Sequence, residues 1–238
     1  MSSSLEDEAN MKRPLRPSLR RLVPEHPAAL AALDIALSSL PQSIINHSFR
    51  VFLYAKAMNA SSNEESLPTS PVKTIQIAEH ILFVACILHD LGITEKYDSI
   101  PRRFEVTSAD EAANLLRSNG VDEDSIREAW LAISLHSSPG IAEYLPGTVG
   151  AMRKAIMAEF GAMDVPANEL SEEERELLLD GEDLERLDIE TELGDAIVRQ
   201  CRKTRTKAPS ASWPGVMLRA FEQDPEHVGA NKAFWDCS

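Results

Sequence analysis

The chain has 238 residues, long enough to bury a sizeable core, with 43% hydrophobic and 26% charged residues, as in soluble globular proteins. Its net charge of -14 argues against a nucleic-acid binder. No apolar run approaches the ~18 residues of a membrane span, and residues 1–23 lack the apolar core of a secretory signal.

Much of the charge is local. Residues 169–192 hold twelve acids against two arginines, a net -10 that leaves the remainder at -4. Such a run reads first as the solvated face of helices, and second as a docking surface for a basic partner. The three cysteines, Cys86, Cys201 and Cys237, form neither a CxxC pair nor an even-numbered framework, which fits a reducing, cytoplasmic compartment.

In chain order, residues 1–23 read as a disordered tail, 24–225 as one domain, and 226–238 as a frayed end. Sustained period-two alternation is missing and helical spacing is common, so the expected fold is all-α. Helices are expected over about 28–39 and 42–58, followed by a polar loop at 59–71. The next, about 72–90, contains eight consecutive apolar residues, Ile81 to Leu88, and reads as a helix buried on every side. Ser108 and Glu111 form an S-x-x-E capping signature opening a helix to about Ser118, and Asp122 or Asp124 opens the next. Further helices are expected over about 147–163, after the Ser171/Glu174 capping signature, and over about 182–205 and 214–223. The basic run Arg199 to Lys207 reads as a solvated helix end.

The buried helix runs straight into His89 and Asp90. Burying a lone carboxylate costs several kcal/mol unless its charge is matched. A divalent cation supplies the match, and imidazole with carboxylate suits a first-row metal. Three further residues lie on apolar faces or beside them: His47, inside the second helix; His136, three residues beyond the Ile126, Trp130, Ile133 stripe; and Asp164, after the helix bearing Met157 and Phe160. Taken singly, each of these reads as a satisfied core histidine or a turn aspartate.

The order His47, His89-Asp90, Asp164 resembles the HD-domain superfamily of metal-dependent, all-helical enzymes, an H … HD … D pattern with its elements on different helices of one bundle. Asp188, Asp195 and Glu159 are alternatives for the last position. Longer segments, NHSFRVFLYA (46–55), LHDLGIT (88–94), RRFEVTSADEAANLL (102–116), AISLHSSPGIA (132–142) and KAIMAEFGAMDV (154–165), resemble the fungal cyanamide hydratase branch over about residues 28–210. The Thr107-Ser108-Ala109 stretch departs from that pattern, where small residues with glycine are expected.

The resemblance implies an HD-domain helical bundle holding one divalent metal, zinc or alternatively iron, through His47, His89, Asp90 and Asp164. It implies a small-molecule substrate and the hydration of a small nitrile, cyanamide to urea, by metal-activated water. His136 is then the candidate proton donor, against a core histidine bonded to a backbone carbonyl. Glu105 is a candidate for orienting a water or a ligand histidine, against a plain helix-entry carboxylate. Arg50 is the candidate substrate-binding cation, pairing a pocket carboxylate, against a surface ion pair. The competing readings are an HD-type phosphohydrolase acting on a nucleotide or phosphomonoester, and a non-catalytic helical interaction protein. A homodimer is compatible with any of these.

Overall fold

The computed structural model describes residues 15–62, 77–179 and 181–224. Among the described residues the regular elements are all helices. They are α1 (Pro17–Arg20), α2 (Pro27–Ser39), α3 (Gln42–Ser62), α4 (Glu79–Leu88), α5 (Phe104–Ser118), α6 (Glu123–Leu135), α7 (Gly147–Glu159), α8 (Glu172–Leu179), α9 (Ile189–Lys203) and α10 (Trp213–Gln223), joined partly by short 3-10 turns.

The helix ends follow from local chemistry. Pro27 opens α2, where a missing N–H costs nothing. Asp122 caps α6 by accepting from the Ser125 amide at 2.9 Å. Ser171 and Glu174 bond reciprocally at the start of α8, Ser171 N to Glu174 Oε2 at 2.8 Å and Glu174 N to Ser171 Oγ at 3.2 Å, as a capping box requires. The other expected box does not cap. Helix α5 begins at Phe104, which puts Ser108 inside it, and the buried Ser108 Oγ accepts instead from the Gly92 amide at 2.8 Å. The early start places Glu105 in the first turn of α5.

All eight residues from Ile81 to Leu88 are buried, so α4 is the central helix. It packs against α2, α3, α5 and α6, while α3 lies along α7 and α5 lies along α6. Phe49, Phe52 and Phe83 meet edge to face where α3 crosses α4.

Other expectations change as well: the helices expected from about 72 and about 182 begin at Glu79 and Ile189. The tail expected over 1–23 is ordered from residue 15: α1 buries Leu19, Val23 joins the core, and Arg16 pairs with Asp183 at 2.5 Å. The remainder of that tail, the stretch 226–238 and most of the loop at 59–71 lie outside the described residues. The basic run is also not merely a solvated end. The 3-10 turns after Asp90 leave carbonyls without helical partners, and α9 supplies the donors. Arg199 Nη2 reaches Ile93 O at 2.9 Å, Gln200 Nε2 reaches Gly92 O at 2.8 Å and Thr94 O at 3.2 Å, and Lys203 pairs with Asp98 at 2.6 Å. Lys207 is buried, with its Nζ 3.2 Å from Gln200 Oε1.

Gly92 is required by close approach rather than by dihedral angle. A Cβ there would lie 2.2 Å from the Phe104 carbonyl oxygen, a backbone atom that cannot swing away. We expect Gly92→Ala to cost about 1–3 kcal/mol, the range of overpacked cores, and to lower the urea midpoint with little change in the slope of the transition.

Candidate metal centre

Four helix ends and one helix interior converge on a single point. His47 projects from the second turn of α3. His89 is the C-cap of α4, with Asp90 directly after it, and His136 is the C-cap of α6. Phe160 is the C-cap of α7, and Trp213 is the first residue of α10. A cavity of about 10 Å³ lies between them, room for roughly one water. Its polar wall is His47, His89, Asp90, His136 and Ser137, and its apolar wall is Ile156, Phe160, Leu193 and Trp213.

The three imidazoles share one orientation logic. His89 Nδ1 lies 2.7 Å from the Cys86 carbonyl and His136 Nδ1 lies 2.6 Å from the Ile133 carbonyl, each three residues back along its own helix. Both rings therefore donate Nδ1–H to a main-chain carbonyl in the last turn of their own helix, the Ile133 carbonyl also accepting from the His136 amide at 3.4 Å. His47 Nδ1 lies 3.2 Å from Glu159 Oε1. In every case Nδ1 holds the proton, and Nε2 presents a lone pair to the cavity.

Those lone pairs meet each other and a carboxylate. His47 Nε2 and His89 Nε2 are 3.1 Å apart. Asp90 Oδ2 is 3.1 Å from His89 Nε2 and 3.6 Å from His47 Nε2, and Asp90 Oδ1 is 3.6 Å from His136 Nε2. Both Asp90 oxygens are buried, and neither receives a well-aligned hydrogen bond from a described residue. Acceptors facing acceptors in a dry site repel unless a cation lies among them. Two nitrogens bound to one tetrahedral cation at ~2.0–2.1 Å lie roughly 3.3 Å apart, near the observed separation. The donor set of His47, His89 and Asp90 thus fits a divalent cation, and these three offer ligand atoms within 4.8 Å of one another.

Burial lowers the His47 imidazole below its ordinary value, against the pull of Glu159. For His89 burial acts the same way, but the adjacent Asp90 carboxylate outweighs it and the ring is held above its ordinary value. Asp90 stays well below the usual carboxylate range, because the imidazoles, His89 foremost, overcome the cost of burial. His136 is pushed down to about 3 by burial and by His89.

The other expected residues fall elsewhere. Asp164 is exposed, five residues beyond the end of α7 and past the turn at Gly161 (φ +75°), and the fold does not bring it to the cluster. Asp188 and Asp195 are exposed as well. The buried carboxylate on this side is Glu159, which bonds to His47. Arg50 is buried behind the imidazoles: Nε lies 2.9 Å from each Glu159 oxygen, and Nη1 reaches the Leu184 carbonyl at 2.6 Å and the Glu185 carbonyl at 3.1 Å. With its donors spent there, it does not line the cavity. Glu105 is fully buried and meets no imidazole. It accepts from Ser137 Oγ, which lines the cavity, and pairs with Arg103. The apolar wall was not anticipated, since Leu193 and Trp213 carry no signal in sequence beyond hydrophobicity.

His136 sets a pH dependence in the metal-free protein. Its folded pKa of about 3 lies below the ordinary 6.5, so the ring must stay neutral to fold while the unfolded chain takes up a proton. The associated stability is present above pH ~6.5 and is lost as pH falls toward 3, at roughly 1.4 kcal/mol per pH unit. Urea denaturation of chelator-treated protein between pH 7 and 5 checks this; His136→Gln should remove about one proton's worth of slope.

Among curated proteins, no sequence matches the chain. The family model that does match is described as the HD domain, and it covers residues 44–193. The match runs from the helix carrying His47 through His89-Asp90 and His136 to Leu193 on the apolar wall. HD domains are typically metal-dependent hydrolases, which accords with a buried cluster suited to a divalent cation. With its model spanning more than half the sequence and enclosing every polar residue of the candidate centre, the HD-domain family is the one to which this chain belongs.

Proposed function

We propose that this protein hydrates a small neutral nitrile, with cyanamide to urea as the reaction, using one divalent metal, zinc or alternatively iron. The observation that carries the reading is the cavity. It is small, walled on one side by Ile156, Phe160, Leu193 and Trp213, and among the described residues no lysine or arginine lines it. Phosphoryl transfer needs cationic groups around the phosphate oxygens. Arg50, the basic residue expected to supply one, is committed to Glu159. A short uncharged rod such as cyanamide requires far less widening of the space than a nucleotide.

A divalent cation held by His47, His89 and Asp90 supplies a Lewis acid that makes water nucleophilic near pH 7 and polarises a nitrile. The chain's own residues supply the rest. His136 presents a lone pair at Nε2, because Nδ1–H is committed to the Ile133 carbonyl. It therefore acts first as a base, taking a proton from the water that adds to the nitrile carbon, and then returns that proton to the nitrile nitrogen. The expected donor role becomes the second half of a shuttle. Ser137 Oγ is fixed at the wall by donating to Glu105 and accepting from Arg103 Nη2 at 3.2 Å. The apolar wall keeps bulk water from competing.

Protein purified without added metal should carry close to one equivalent of metal by elemental analysis, and His89→Ala should lose it. Cyanamide should yield urea, and His136→Ala should lower kcat by roughly 10²–10⁴ while metal content is kept. Phosphate release from a nucleotide panel with no urea from cyanamide would replace this reading with the phosphohydrolase one. Absence of metal would leave the interaction-protein reading in place.

A further inference from the structure

Glu159 is the last residue of α7, and its side chain is fully enclosed. Among the described residues, the groups that bond to its oxygens are donors. His47 Nδ1 lies 3.2 Å from Oε1; Arg50 Nε lies 2.9 Å from both oxygens, and Arg50 Nη2 lies 2.6 Å from Oε1. Arg186 Nη1 lies 3.3 Å from Oε1 and donates to the Glu159 main-chain carbonyl at 2.6 Å. The two guanidinium groups are themselves held: Arg50 by the Leu184 and Glu185 carbonyls, Arg186 by Glu190.

A guanidinium has no acceptor, and an ionised carboxylate has no donor. Nothing in this arrangement can reverse its polarity, so the proton shared with His47 must sit on His47 Nδ1. We infer that Glu159 is a positioning residue for metal binding: clamped by Arg50 and Arg186, it fixes His47 in the Nδ1–H tautomer and so turns the Nε2 lone pair toward His89 and Asp90. The inference rests on the metal-site reading above.

The near-isosteric Glu159→Gln replaces one acceptor oxygen by an NH₂ group. If the amide turns its NH₂ to His47, the imidazole proton moves to Nε2 and the lone pair is lost from the cavity. If it turns the NH₂ to Arg50, donor faces donor. Glu159→Asp keeps two acceptors on a shorter stem. Outer hydrogen-bond partners of this kind change metal affinity by roughly 10–100-fold.

The test uses the full chain as wild type, Glu159→Gln and Glu159→Asp. Zn²⁺ affinity is measured by competition with a chelator, and the His47 tautomer by ¹⁵N NMR of the metal-free imidazoles. We expect wild-type His47 protonated on Nδ1, a 10–100-fold loss of Zn²⁺ affinity in Glu159→Gln with a change of His47 tautomer, and recovery of the Nδ1–H tautomer and most of the affinity in Glu159→Asp. Wild-type His47 protonated on Nε2 overturns the inference even if neither variant folds. So does a folded Glu159→Gln with unchanged affinity. Neither readout involves cyanamide, so a chain that passes both and releases no urea loses the proposed reaction and keeps this inference.

Discussion

A carboxylate buried among lone pairs is the constraint on which the rest of this structure depends. Asp90 is enclosed, its oxygens lack aligned donors among the described residues, and the imidazole nitrogens around it point their unprotonated sides inward. Left alone, such a site is paid for in stability, because like partial charges face each other at low dielectric. One cation reverses the sign of every contact in it. The pull of the Asp90 carboxylate shows in His89, whose imidazole is held above its ordinary value against the effect of burial.

The fold keeps those lone pairs inward by a device used twice. His89 and His136 each stand at the C-cap of a helix and each donate Nδ1–H to the carbonyl three residues earlier. An imidazole at a helix end bonds a main-chain carbonyl of the last turn while fixing its own tautomer. His47 sits inside α3, where the carbonyls are already bonded along the helix. Its Nδ1 therefore needs a partner from outside, and α7 delivers one in Glu159. Two rings are set by secondary structure and the third by tertiary packing.

The loop after Asp90 shows how tightly the surroundings are coupled to the centre. Its 3-10 turns are bonded from one side by Arg199 and Gln200 on α9 and from the other by Ser108 on α5. Gly92 lies against the Phe104 backbone at the point where both meet. Helix α9 thus braces this loop with one turn and contributes Leu193 to the cavity wall with another. Among the described residues, the cluster faces a small cavity walled by apolar side chains, and Arg50 is bonded away from it to Glu159.

The amino-acid order alone was enough for the helical architecture, the most buried helix and the pairing of His89 with Asp90, because periodicity and the cost of burying a charge are local properties. The Ser171/Glu174 cap and the Asp122 cap were legible for the same reason. His136 was legible as an inward-facing residue, since helical spacing fixes a face, and His47 as a residue inside the second helix. What faced them was not. Asp164 lies five residues past the end of α7 on an exposed turn, while Glu159, on the helix itself, reaches the imidazole; only the packing of α7 along α3 separates the two. Arg50 sits on the expected helix, but the segment at 184–186 captures its donors, and that meeting spans more than a hundred positions. Ser108 looked like a cap until α5 proved to start a turn earlier, against Gly92. Hydrogen-bond partners across such separations follow from how helices stack, and helix stacking is decided by the whole set of buried surfaces at once.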